Sequence, residues 1–120
     1  MTGKIAASGN IQYLLKSDGS RTDVPSGCYY DMFNNCTSLT SAPQLPATTL
    51  ARDCYNCMFY GCTSLVSAPE LPATTLADRC YNSMFDSCSK FSECHMKASM
   101  EGVYNKSTHG DTKKTVIYDL

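Results

Sequence analysis

The chain has no apolar run near the roughly eighteen residues that a membrane-spanning helix needs, although its hydrophobic fraction of 42% is ample for a globular core. It also has little net charge. Ten basic residues against eleven acidic ones leave −1 at neutral pH and an isoelectric point near 6.0, so no global field draws it to nucleic acid or anionic lipid. The opening MTGKIAASGNIQYLL lacks the continuous apolar core and small-residue cleavage site of a secretory signal. A cytoplasmic chain is the expectation, or a cell-surface one if the sequence is excised from a longer exported protein. No glycine-rich phosphate loop is present: GNIQ, SDGS and THGD are turn signals without the strand and helix of a nucleotide site. No nucleophile motif accompanies His95 or His109. The sequence therefore assigns no catalytic residue and no cofactor, and the chain is not read as an enzyme.

What the sequence does have is repetition. The segment 28–53 is followed at once by a near-copy, 54–79, with 18 identities in 26 positions, and a third copy begins at Cys80 in the same register. CTSL recurs at Cys36 and Cys62, and LPATTLA at Leu45 and Leu71. A fixed period in this range marks a stacked array, in which no unit can bury its apolar face alone and neighbours build one continuous core. The 120 residues form a single domain: an N-terminal cap 1–27, full repeats 28–53 and 54–79, a partial repeat 80–97 and a C-terminal cap 98–120.

The repeat register also interprets the eight cysteines. Cys28, Cys54 and Cys80 share one position and Cys36, Cys62 and Cys88 another, and three thiols cannot pair off within a ladder. If 28–36 is helical, Cys28 and Cys36 lie roughly 12 Å apart along the axis, too far for a disulfide. Reduced, buried thiols are expected. Cys54 and Cys57 form a CxxC, but the slot of Cys57 holds Asp31 and Ser83 in the other copies, and only Cys94 with His95 lies outside the ladders. No metal site is assigned. Cys57 is instead the expected exposed thiol, and its oxidation would give a homodimer.

Stepping about 100° per residue from Cys28 places Tyr29, Met32, Phe33 and Cys36 on one side of a short helix. These are the types that all copies share, so that side is expected in the core. The opposite side carries Tyr30, Asp31, Asn34 and Asn35, then Asn56, Cys57, Tyr60 and Gly61. A stretch this short is expected only as a helical or 3₁₀ turn locked by its neighbours. The following residues, 38–42 and 64–68, read as strands that end near Pro43 and Pro69, since proline has no N–H for a ladder. LPATTLA then runs extended, with Leu39, Leu45, Leu50, Leu65, Leu71 and Leu76 inward.

Units such as CYNCMFYGCTSLVSAPELPATTLA resemble the BspA-like leucine-rich repeats of bacterial proteins, those of Bacteroides and their mobile elements in particular. The shared pattern is a strand opened by CTSL, a leucine followed by proline, and a helical turn with a buried aromatic and cysteine, here Phe59 and Cys62. It runs from Val24 to about Phe91. The resemblance implies an α/β fold: a short right-handed leucine-rich repeat solenoid, with a parallel sheet on one face, short helical turns on the other, and capped ends. It implies binding rather than catalysis.

The caps are expected to bury the solenoid's ends, Ile5, Ile11, Tyr13, Leu14 and Leu15 at one and a closing strand over 114–120 at the other. Phe91 takes the place of Leu65. The leading functional reading is a protein-protein interaction module. If the sheet binds, its outward ladders are Thr40, Val66 and Ser92, then Ser41, Ser67 and Glu93, then Gln44, Glu70 and Met96. If the helical side binds, Tyr30, Asn34 and Tyr60 are the anchors. Two further readings are a small phage or mobile-element inhibitor of a bacterial defence effector, like an anti-CRISPR, and a fragment of a surface adhesin. Nucleic acid is disfavoured, because Tyr29, Tyr55 and Tyr81 belong to the buried ladder and the cluster Lys106, Lys113 and Lys114 is diluted by Asp111 and Asp119. Finally, the first copy ends Arg52, Asp53 and the second Asp78, Arg79. Stacked in register, opposite charges would meet at roughly 5 Å.

Overall fold

The computed structural model describes residues 9–15, 19–97 and 112–118. Within them, each repeat opens on a run of consecutive turns, not on the expected helical turn. In the first copy Tyr30, Met32, Asn34 and Cys36 donate their N–H to the carbonyls of Gly27, Tyr29, Asp31 and Phe33, three residues back, at 3.1–3.2 Å. The intervening residues donate to the next copy: Tyr29 to Cys54 at 3.0 Å, Asp31 to Asn56 at 3.1 Å and Phe33 to Met58 at 2.8 Å. The second copy treats the third in the same way, with Tyr55 donating to Cys80 and Phe59 to Met84, both at 3.0 Å. A helix would keep its interior N–H groups for its own carbonyls. This ribbon keeps alternate ones and uses the rest to hold its neighbour, which corrects the helical expectation.

Every fourth residue of the ribbon has left-handed backbone. Gly27, Asp31 and Asn35 have φ of 63°, 58° and 58°, and Asp53, Cys57 and Gly61 then Arg79, Ser83 and Ser87 follow suit. A right-handed helix cannot continue through such positions, and Gly, Asn and Asp tolerate them best. The resulting four-residue rhythm turns Cys54, Tyr55, Met58, Phe59 and Cys62 inward, all buried. Over two turns, periods of 4 and 3.6 gather the same residues on one side. The residues expected in the core are thus buried in the second and third copies, carried by a turn ribbon and not by a helix.

Stacked rings form the centre of that core. Tyr29, Tyr55 and Tyr81 lie face to face with centroids 5.8 and 6.0 Å apart, and Phe33, Phe59 and Phe85 at 5.4 and 5.8 Å. Phe91 closes the second stack edge-on at 5.5 Å. All eight cysteines are free. The Cys62 and Cys88 thiols donate to the carbonyls of Phe33 and Phe59 in the preceding copy, each at 3.0 Å. The first copy is less enclosed: Cys28, Phe33 and Cys36 are half-buried, and Met32, expected in the core, is 41% exposed.

The extended side of the repeats is sparsely paired. Among the described residues the sheet is β1 (Glu93–Met96) parallel to β2 (Thr115–Tyr118), with isolated parallel bridges Asn10 to Gln44, Asp23 to Thr49, Thr49 to Thr75 and Leu71 to Met96. The strands expected over 38–42 and 64–68 are joined by a bond from the Val66 N–H to the Thr40 carbonyl at 3.3 Å, and no regular ladder is assigned to them. Leu39, Leu45, Leu65 and Leu71 are buried as expected, joined by Ala47 and Ala73.

At the N-terminal end a buried glutamine does what hydrophobic cover was expected to do. The Gln12 amide nitrogen donates to the Arg21 and Asp23 carbonyls at 2.8 and 2.9 Å, and its oxygen accepts from the Tyr29 hydroxyl at 3.1 Å. Ile11 is buried and Leu15 packs at the core margin, but Leu14 is 64% exposed; Ile5 lies outside the described residues. At the other end β2 matches the expected closing strand. Lys114, counted in a basic cluster, donates instead to the Cys88 and Phe91 carbonyls and sits 4.8 Å from the Phe91 ring centre.

Candidate binding cleft

Proline has no N–H, and the extended side of each full repeat carries two prolines, Pro43 with Pro46 and Pro69 with Pro72. Where these segments of the first and second copies face each other, no backbone bond joins 42–47 to 68–73. They enclose an open cleft of about 480 Å³, lined by Ala42, Pro43, Gln44, Leu45 and Pro46 on one wall and Pro69, Glu70 and Pro72 on the other. A smaller hollow of about 110 Å³ continues past Glu70 and Pro72 to His95, Met96 and Lys97. The four proline rings make the walls apolar, while the exposed side chains of Gln44 and Glu70 supply the polar rim.

The structure thus brings together two of the residues expected on the sheet face, Gln44 and Glu70. Met96, placed in the same outward ladder, is 2% exposed and bridges to Leu71 instead. The reason is a shortened third copy: Leu65 to Leu71 is six steps, but Phe91 to Met96 is five. One lost residue turns the side chain to the opposite face. Val66 is 59% exposed and Thr40 half-buried beside it, and Glu93 is exposed on β1 opposite Thr115.

On the turn side Tyr30 is 49% and Tyr60 36% exposed, and the Asn34 amide is held by the Asp31 carboxylate at 3.0 Å. The Tyr60 carbonyl accepts from Asn35 N–H at 2.6 Å, so Tyr60 stands next to Asn34 across the repeat boundary. Cys57 is not the exposed thiol expected: it is half-buried, and its sulfur donates to the Asn56 side-chain oxygen at 3.1 Å. Burial, then the charges of Asp31, Asp86 and Asp53, raise its pKa. That environment suppresses the thiolate. Among the described residues no group of three or more His, Cys, Asp or Glu side chains could hold a metal ion, and no helix is long and apolar enough to cross a membrane. His109 lies outside the described residues.

The chain matches no family model, no curated protein and no solved structure. A functional reading therefore rests on the geometry of the repeats. Sequence reasoning used the prolines to end strands and did not see that two such ends, stacked, part from each other. The signal was available in the repeated proline spacing, PQLP over 43–46 and PELP over 69–72.

Proposed function

We propose that the chain is a non-catalytic protein-binding module, a short leucine-rich repeat solenoid whose contact site is the proline-walled cleft between its two full repeats. The cleft itself carries the reading: apolar walls, a polar rim of Gln44 and Glu70, and an opening to solvent. Small sites of this make-up recognise ligands by fit, with a few polar groups fixing orientation. Inhibition of a bacterial defence effector and adhesion at a cell surface are special cases, told apart by the partner.

A random peptide library displayed on phage and selected against the full chain tests the site. Selected peptides should lose at least about tenfold in affinity on the double change Gln44→Arg with Glu70→Arg, both exposed positions, and keep it on Tyr30→Ala with Tyr60→Ala. The reverse pattern would move the binding site to the turn side.

A further inference from the structure

The junctions on either side of the cleft show what it lacks. Between the N-terminal cap and the first repeat, Gln44 N–H donates to the Gly9 carbonyl at 2.6 Å and Ile11 N–H to the Gln44 carbonyl at 3.1 Å. Between the second repeat and the third, Leu71 N–H donates to His95 at 3.1 Å and Lys97 N–H to Leu71 at 3.0 Å. Along an extended chain the backbone groups of successive residues point to opposite neighbours. Those of Gln44 face the cap, so those of Leu45 face the second repeat. Those of Leu71 face the third repeat, so those of Glu70 face the first.

Repeating the first junction's pattern one copy on would pair Glu70 N–H with the Pro43 carbonyl and Leu45 N–H with the Glu70 carbonyl. Neither bond forms, and neither N–H has another backbone partner among the described residues. All three residues line the cleft. The flanking prolines have no N–H to contribute, so the cleft holds two donors and two acceptors in the order of a parallel ladder whose two sides are not joined. Buried backbone groups are almost always paired. Among the described residues no backbone group pairs those of the cleft, which leaves them to solvent or a ligand.

We infer that the cleft takes an extended peptide main chain, one amide of which completes the pairing of Leu45 and Glu70. The partner's carbonyl accepts from one of these N–H groups and its N–H donates to the carbonyl of Pro43 or Glu70. Strand addition to an open ladder draws affinity from main-chain bonds and selectivity from the side-chain surroundings; here the proline walls favour small or β-branched neighbours. A proline or N-methylated residue at the central position cannot bind. The inference rests on the reading of the cleft as the contact site.

Amide resonances of the ¹⁵N-labelled full chain, titrated with acetyl-Thr-Val-Thr-Val-Thr-amide, test it. The Leu45 and Glu70 amide protons should shift downfield and their exchange with solvent slow at least about tenfold at saturation. Among analogues N-methylated singly at each backbone nitrogen, at least one should bind about tenfold more weakly or worse, a loss of about 1.4 kcal/mol. Shifts confined to Tyr30 and Tyr60, or no shifts at all, overturn the inference. Equal binding by every N-methylated analogue overturns main-chain pairing alone, and the cleft survives as a site if library peptides still depend on Gln44 and Glu70. Sodium acetate shifting the same two amides as strongly as the peptide would make this an anion site and overturn the inference. If library peptides also ignore Gln44 and Glu70, the proposed function fails with it.

Discussion

The turn side and the extended side of the same repeats are held together by different means. On the turn side the alternate N–H groups of the first two copies reach the next copy, ring stacks 5.4–6.0 Å apart run through all three, and thiols add bonds of their own. On the extended side, apart from the β1–β2 pair at the C-terminal end, pairing between copies is limited to isolated bridges and the Val66–Thr40 bond, and none joins 42–47 to 68–73. The lesson is a division of labour within one repeat. The bonds and ring stacks between copies concentrate on the turn side, and the proposed contact site lies where two copies run side by side without a backbone bond.

Alkaline pH should expose that division most. Burial pushes Cys54 and Cys88 up to about 11, and Cys62 and Cys80 up to about 12, from an ordinary 9.0, and all four belong to the turn side. An acid with a raised folded-state pKa keeps a proton that the unfolded chain releases. Its stabilisation is complete below pH 9 and is lost as pH rises toward 11 and 12. With four such thiols the loss should approach the whole folding stability of a small domain, about 5–15 kcal/mol. Urea midpoints should be level to pH 8 and fall steeply above 9; a midpoint unchanged at pH 11 would mean the thiols are not enclosed.

Next in size is the ring stack. Phe59 and Phe85 are fully buried whereas Phe33 is half-buried. Phe59→Ala and Phe85→Ala should each cost about 3–5 kcal/mol, and Phe33→Ala clearly less. Equal losses at all three in denaturant melts would contradict an array with an open first copy.

Backbone conformation comes third. Gly61 has φ 73°, and a Cβ there would meet the Asn35 side-chain oxygen. Gly61→Ala should therefore cost about 1–2 kcal/mol, while Pro69→Ala on the extended side changes stability by less than about 1 kcal/mol. A larger loss at Pro69 than at Gly61 would reverse the comparison.

Core membership was legible in the sequence because three copies expose it directly: the residues that recur at 54, 55, 58, 59 and 62 are the ones that pack. The backbone carrying them was not, since nothing in two turns of sequence separates a four-residue rhythm from a helical one until the left-handed positions at Asp31, Cys57 and Ser83 are seen. Gln44 and Glu70 were found by register, whereas Met96 failed because one residue is missing between Phe91 and Met96. The cleft was hidden for a different reason. It is made of absent bonds between two segments, and sequence patterns report side chains.

The smallest effect concerns the charge pairs expected across the repeat boundary. Arg52 does meet Asp78, at 3.5 Å, but it lies 3.6 Å from Asp53 as well, and Asp53 accepts a bond from Asn56 at 2.8 Å. Exchanging the order in the second copy, Asp78→Arg with Arg79→Asp, should cost about 0.2–1 kcal/mol, more at low salt. Exchanging Arg52 and Asp53 too should restore it, and failure to recover in melts at low ionic strength would break the assigned register.

Native-state amide hydrogen exchange on the free 120-residue chain compares the two sides most directly. Tyr29, Tyr55 and Phe59 on the turn side, with Gln44 and Leu71 at the paired junctions, should exchange slowly, while Leu45 and Glu70 exchange faster by orders of magnitude although they sit next to Gln44 and Leu71. Protection of Leu45 and Glu70 equal to that of their neighbours would mean that the two repeats are closed along their whole length, and the separation of stability from binding would not stand.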